Sequence, residues 1–283
     1  MKKFILQHTN ALLFFSAFSA CLFSCNKKDL LVDANYPDQK IYMSQAAVAT
    51  VGPGANGIYS ITANREGVVQ RFTADVAGGK FNVPLGVVKS GVSLSGAYTI
   101  NIAANTDSVG KLITAGKFLV TSDPTLTTEL LPSSAYTLPS SVNIADGDVS
   151  ASFTLGINLS FLTNSVTVTP KKRYAIAVSI SNSKSSLIQT SLATTVIFID
   201  PVQVILPVAN FSSFIEVRTA NFLNSSLNGA SYSWNFGDAT PISSSVAPSH
   251  VYSAPGTYAV TLTTTGIAGS GAASVKTANI VIL

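Results

Sequence analysis

The stretch Ser231-Tyr232-Ser233-Trp234-Asn235-Phe236-Gly237-Asp238, followed further on by Pro255-Gly256-Thr257-Tyr258-Ala259-Val260-Thr261-Leu262, decides the fold of this chain. Trp234 and Phe236 stand two apart, so in an extended strand both side chains leave the same face. Gly237-Asp238 opens a turn in which Asp238 bonds its own backbone. Pro255-Gly256 makes a second turn, and Tyr258, Val260 and Leu262 then repeat at period two, the inward side of the next strand.

The same period runs through the chain upstream. Tyr98, Ile100 and Ile102 alternate with polar neighbours, and so do Phe153, Leu155, Ile157 and Leu159. Tyr174, Ile176, Val178 and Ile180 alternate with Ala175, Ala177, Ser179 and Ser181. Such runs predict strands with one buried face. Turn residues such as Gly52-Pro53-Gly54 and Asp146-Gly147-Asp148 separate them, and Ala77-Gly78-Gly79-Lys80 reads as a hairpin turn. One short helix is expected, over Asp107 to Ala115, capped by Thr106 or Asp107. The fold class is all-β: two Ig-like β-sandwich domains in tandem. A boundary at Asp200-Pro201 predicts a first sandwich over 40–200, a linker over 201–206 and a second sandwich over 207–283. Prolines at both ends stiffen that linker.

The N-terminus reads as an export signal. Lys2 and Lys3 precede the apolar run Ala11 to Phe23, and Leu22-Phe23-Ser24-Cys25 closes it. Leucine three places before the cysteine, with a small residue directly before it, resembles a lipobox. This implies a lipoprotein signal peptide over 1–24, lipid attachment at Cys25, and a tether over 25–39. Cys21, behind Phe18-Ser19-Ala20, is the rival. Asn26-Lys27-Lys28-Asp29 ends the apolar run at once and favours Cys25. The chain has only these 2 cysteines, so neither a disulfide nor a cysteine-based zinc site arises downstream. Without Lys2 and Lys3 the basic count falls from 17 to 15 against 13 acids, a mature charge of about +2. No basic stripe with interleaved aromatics occurs, which argues against nucleic-acid binding. Lys171-Lys172-Arg173 is expected to be a solvated turn.

The segment from Pro207 to Leu283 resembles a PKD domain, an Ig-like sandwich of extracellular and cell-surface proteins. Trp234, Phe236, Gly237, Asp238, His250 and Tyr258 match its structural motif, and Pro248-Ser249-His250-Val251-Tyr252 matches the segment before its hairpin. The chain departs from the family at Ala239, where glycine is usual, and a positive φ there would strain alanine. It departs again at Asn235, where a common aspartate would serve the calcium site of some members. The segment from Lys40 to Asp200 resembles an N-terminal domain of unknown function in Bacteroidetes-type surface lipoproteins, including secreted family-18 glycosidases. The matching residues are Lys40 to Ala46, Leu130 to Leu138, Val142 to Gly147, Tyr174 to Ile180 and Thr194 to Asp200. That resemblance lends no catalytic residue.

Trp234 is expected in the core rather than under a sugar. His250 is the only histidine of the mature chain, with no second histidine or cysteine to share a metal. No metal, cofactor or catalytic residue is therefore expected. Gly52-Pro53-Gly54 lacks the lysine and helix of a phosphate loop. Tyr36, Tyr42, Tyr59 and Tyr136 are the candidate sugar-stacking aromatics. Asp107-Ser108-Val109 resembles a Bacteroidetes-type O-glycosylation sequon, with Ser108 as acceptor. The combined expectation is a non-enzymatic outer-membrane lipoprotein of the cell envelope, exposed at the surface and tethered by its lipid. It would serve as an accessory glycan-binding or spacer module of a polysaccharide-utilisation apparatus. The alternatives are a structural or adhesive protein that binds another surface protein, and an enzyme with an unrecognised carboxylate site.

Overall fold

The longest alternation in the first domain belongs to Lys80–Ser90 (β4), where Phe81, Val83, Leu85 and Val87 are buried and their neighbours are not. The computed structural model describes residues 38–51, 56–91, 95–119, 123 and 125–283, and strands are numbered in chain order. Cys25, Tyr36, the signal segment and most of the tether lie outside the described residues, as do Gly52-Pro53-Gly54. β4 runs antiparallel to Ser150–Asn158 (β9), with Leu85 opposite Phe153, Val83 opposite Leu155 and Phe81 opposite Ile157. Lys40–Met43 (β1), Thr73–Asp75 (β3) and Tyr136–Thr137 (β7) complete this sheet.

The facing sheet has Ile58–Ile61 (β2), Thr194–Ile199 (β11), Lys172–Ser181 (β10), Tyr98–Ala104 (β5) and Ser141–Ile144 (β8) in spatial order, with Thr127–Leu130 (β6) also paired to β10. Pairs β2–β11 and β6–β10 are parallel. The main core lies between the sheets and joins Phe81, Leu85 and Ile157 to Ile100, Ile176 and Ile197.

Alternation undercounted β10. Tyr174, Ile176, Val178 and Ile180 face the main core, but Ala175 and Ala177 are buried as well, at 0% exposure each. They sit under the helix Thr106–Thr114, whose Val109 and Leu112 pack on that outer face. Alanine's small side chain lets a helix approach a sheet closely, and its modest hydrophobicity hides such a face from a pattern reading. The helix is capped by Asn105, not Thr106 or Asp107: the Asn105 side chain accepts from Ser108 N at 3.1 Å.

Among the described residues three further α-helices depart from the all-strand pattern of the sequence. Ser44–Thr50 replaces continued strand after β1. Leu159 continues the period-two run of Phe153, Leu155 and Ile157 in the sequence, but the chain turns there into the helix Leu159–Ser165. Pro201–Ile205 occupies the expected linker, with Asp200 as its cap, and its Val204 and Ile205 are buried in the first core. Arg173 also departs from the solvated turn: it is 5% exposed, donates to the carbonyls of Phe118 and Leu126, and lies over the Phe198 ring. Its long stem and donor fork tie the segment after the Thr106–Thr114 helix to the sheet.

The second domain packs Phe211–Glu216 (β12), Thr219–Asn224 (β13) and Ser249–Val251 (β15) against Gly229–Asn235 (β14), Gly256–Gly266 (β16) and Gly269–Ile282 (β17). Trp234, 0% exposed, is the centre of that core, with Phe211 and Phe222 rings at 5.1 and 5.2 Å. The chain is thus an all-β protein of two sandwich domains in tandem.

Candidate functional site

The motif of the second domain closes on itself. Trp234 Nε1 donates to Ser245 O at 3.0 Å, which satisfies the one polar atom of a buried indole. Phe236 stacks on the His250 ring at 4.0 Å, and His250 Nε2 meets Asp238 Oδ2 at 2.7 Å. Asp238 Oδ1 accepts from Thr240 N at 3.2 Å and Thr240 Oγ1 at 2.6 Å. Burial opposes the charge on Asp238, but the hydrogen bonds from Thr240 and His250 outweigh it and hold its carboxyl below the usual range. Tyr252 donates to Phe236 O at 3.0 Å, and burial pushes its hydroxyl up to about 12. Tyr258 donates to Ala254 O at 2.9 Å and stacks on Tyr252. Gly237 has φ +81°, and a Cβ there would lie 2.6 Å from Ala259 O. Every polar atom just named is engaged inside the domain, and the cluster holds a turn. Among the described residues no group of three or more His, Cys, Asp or Glu side chains converges on a metal position.

A surface that does face outward lies on the first domain, and its geometry starts from an interruption in β4 pairing. β1 pairs with Val87 to Ser90, and β3 pairs with Lys80 to Asn82. Between them the Gln45 side chain takes over the ladder. Its Oε1 accepts from Gly86 N at 3.0 Å and its Nε2 donates to Pro84 O at 3.3 Å. Ser44 Oγ donates to Gln45 Oε1 at 2.8 Å. Gln45 reaches this position from the first turn of the helix that follows β1, which gives the Lys40-to-Ala46 segment a structural role.

Gly86 has no side chain, and opposite it on β9 stands Ser152. Gly86, Ser150 and Ser152 line a groove of about 610 Å³ together with Ser44, Gln45, Tyr59, Val69 and Gln70. The Arg71 guanidinium covers one face of the Tyr59 ring at 4.9 Å and donates to Ser60 O at 2.6 Å. Burial pushes the Tyr59 hydroxyl up, with Arg71 opposing in part. No charged side chain lines the groove. The Gln45 amide and Ser44 hydroxyl are engaged with β4 and with each other, and the rest of the lining is Gln70, Ser150, Ser152, Tyr59 and short aliphatic side chains.

Tyr59 is the stacking candidate that this site brings in. Tyr136 lines a separate, smaller hollow of about 160 Å³, where the partner of β10 changes from β5 to β6. Tyr42 is half-buried on β1. Ser108 is half-buried in the first turn of its helix. Gln45 and Gln70 went unnoticed in the sequence, because a lone glutamine carries no periodicity and no motif. Only the position of Gln45 inside the Lys40-to-Ala46 segment pointed to it.

A family model described as an N-terminal domain matches residues 39–187, over half of the chain, and the PKD domain model matches residues 201–282. Among solved structures, the PKD1 domain of Vibrio anguillarum Epp is 34% identical over 27% of this chain and 93% of its own, with a TM-score of 0.25. A protein of unknown function from Bacteroides ovatus is 14% identical over 80% of this chain and 64% of its own, with a TM-score of 0.39. An auxiliary nutrient binding protein from Bacteroides thetaiotaomicron is 14% identical over 74% of this chain and 60% of its own, with a TM-score of 0.36. The chain therefore spans less than two thirds of either Bacteroides protein. No curated protein matches it in sequence.

Proposed function

The chain belongs to the family of N-terminal domains matched over residues 39–187 and carries a PKD domain behind it, and from that premise we propose that it is a non-enzymatic lipoprotein of the cell surface that holds neutral glycan for a polysaccharide-utilisation apparatus. The observation that carries this reading is the uncharged groove of about 610 Å³ beside Gln45, Tyr59 and Gln70. The Gln70 amide and the Ser150, Ser152 and Tyr59 hydroxyls match the hydroxyls of a neutral saccharide, and the lack of charge disfavours anionic ligands. In this reading Cys25 is acylated and the tether lifts the groove off the outer membrane. Cys25→Ala releases the protein or leaves an uncleaved precursor. Ser108 is proposed as the O-glycan acceptor; the native mass drops to that of the bare chain in Ser108→Ala.

One observation favours a second reading, a surface protein that binds another protein. On the outer face of the β12-β13-β15 sheet Phe214, Leu223 and Val251 are 47%, 54% and 66% exposed, which is unusual for apolar side chains on a single sheet face. A glycan array probed with the unlipidated chain, beside capture from envelope extract, separates the two. The groove reading expects neutral glycans to be retained without hydrolysis. Capture of an envelope protein that is lost in Phe214→Asp, with no glycan retained, selects the second. Turnover of glycosides abolished by one carboxylate substitution overturns the non-enzymatic reading.

A further inference from the structure

β17 is the longest strand among the described residues, at 14 residues, and it ends its sheet. One of its edges pairs with β16, and no described strand pairs with the other. The strands that end the sheets elsewhere are only 2 to 7 residues long. Two of those are also tied down: Gln189 N donates to Ile41 O on β1, and Trp234 of β14 exchanges backbone hydrogen bonds with Ser243.

A long unpaired edge presents a row of N–H and C=O groups that a further strand can take up, unless charge, proline, a bulge or a cover prevents it. β17 carries no proline. Its register with β16 runs unbroken from Ala273 to Ile282, so no bulge twists that stretch away. Its one charged side chain, Lys276, is turned back onto its own domain. Lys276 Nζ donates to Asn210 Oδ1 at 2.6 Å and to Phe211 O at 2.9 Å, and lies over the Phe211 ring. Ile280 and Ile282 point into the core, while Val275, Thr277, Asn279 and Val281 on the opposite face are exposed.

That exposed row is self-complementary. Apolar, polar, polar, apolar reads the same in both directions, as an antiparallel pair of identical strands requires. With a two-fold axis at Ala278, Val275 of each copy stands opposite Val281 of the other, and Thr277 opposite Asn279. Lys276 falls opposite Ile280, so no charge meets a like charge. We infer that the free edge of β17 is a homodimer interface, in which two copies pair antiparallel around Ala278 and join their three-stranded sheets into one of six strands. The contact is small for a specific interface, so the dimer is weak and reversible. It is independent of what the groove holds.

The test uses the unlipidated chain, Cys25→Ser, in sedimentation equilibrium from about 1 µM to about 1 mM, the range in which a small contact associates. A monomer–dimer equilibrium is expected. Val275→Lys combined with Val281→Lys sets lysine opposite lysine twice and is expected to weaken self-association about tenfold or more. Both side chains are exposed, so this variant should melt like the parent at low concentration. Val275→Glu combined with Val281→Glu should lose self-association in the same way. Mixing the two variants should restore a dimer, because each lysine then faces a glutamate. A chain that stays monomeric over the whole range overturns the inference. So does a dimer that the lysine variant keeps, or a loss that the mixture does not restore.

Discussion

Ala239 sits at φ 63°, in the left-handed region where glycine is at ease and alanine is not. The sequence raised this strain, since glycine is usual at that point of a PKD motif, and the backbone has not changed its turn to relieve it. Ala239→Gly should therefore stabilise the second domain by about 1 kcal/mol, with part of the relief offset by glycine's freedom in the unfolded chain. Chemical denaturation followed by the fluorescence of Trp234, the chain's one tryptophan, measures it. Asp238 gives a pH dependence. Its carboxyl is held below the usual range when folded, so its contribution to stability is full above the unfolded carboxylate range and is lost as pH falls through the lower, folded value. Below about pH 4 the second domain should lose stability, and Asp238→Asn should lower stability at pH 7 while flattening the acid limb. Equal acid limbs in the two proteins would remove Asp238 from this role.

At the scale of elements, Gln45 stands in for a missing piece of strand along β4. Gln45→Ala strands Gly86 N–H and Pro84 C=O and should cost about 2 kcal/mol, one per lost hydrogen bond. Thermal melting of the variant checks this, and Gln45→Glu, which keeps the acceptor but not the donor, should fall between the two. The strands themselves were legible. Period two in Phe153, Leu155 and Ile157 put them on one face, and that face is buried. What stayed hidden has physical causes. Ala175 and Ala177 fall on the side of β10 away from Tyr174, Ile176 and Val178, and alanine is too weakly apolar to mark that side as buried, yet a helix covers them. Ser44–Thr50 and Pro201–Ile205 are too short, at 7 and 5 residues, to show a helical period. The groove was the least legible part, since Gln45, Gly86, Ser152 and Gln70 come from separate segments and meet only through sheet register.

Over the whole molecule, two domains do not mean two independent units. Gln39–Leu283 clusters as one body. The helix Pro201–Ile205, within the span of the PKD match, lends Val204 and Ile205 to the first core. A chain cut after Leu206 keeps that helix and should fold. A chain cut after Asp200 loses it, and Ile205 alone is worth about 2–5 kcal/mol. Circular dichroism melting should find the shorter truncation much less stable, and equal melting temperatures would contradict the shared core. An uncharged groove that holds neutral glycan should bind polysaccharide without regard to ionic strength. Affinity electrophoresis of the unlipidated chain through gels containing neutral polysaccharides, at low and high salt, tests it most directly. Retardation by at least one neutral polysaccharide is expected, unchanged by salt because no charge lines the groove, and abolished in Ser152→Trp, which puts a bulky side chain into its lining. Retardation that salt removes, or that Ser152→Trp leaves intact, or no retardation by any of them, would contradict it.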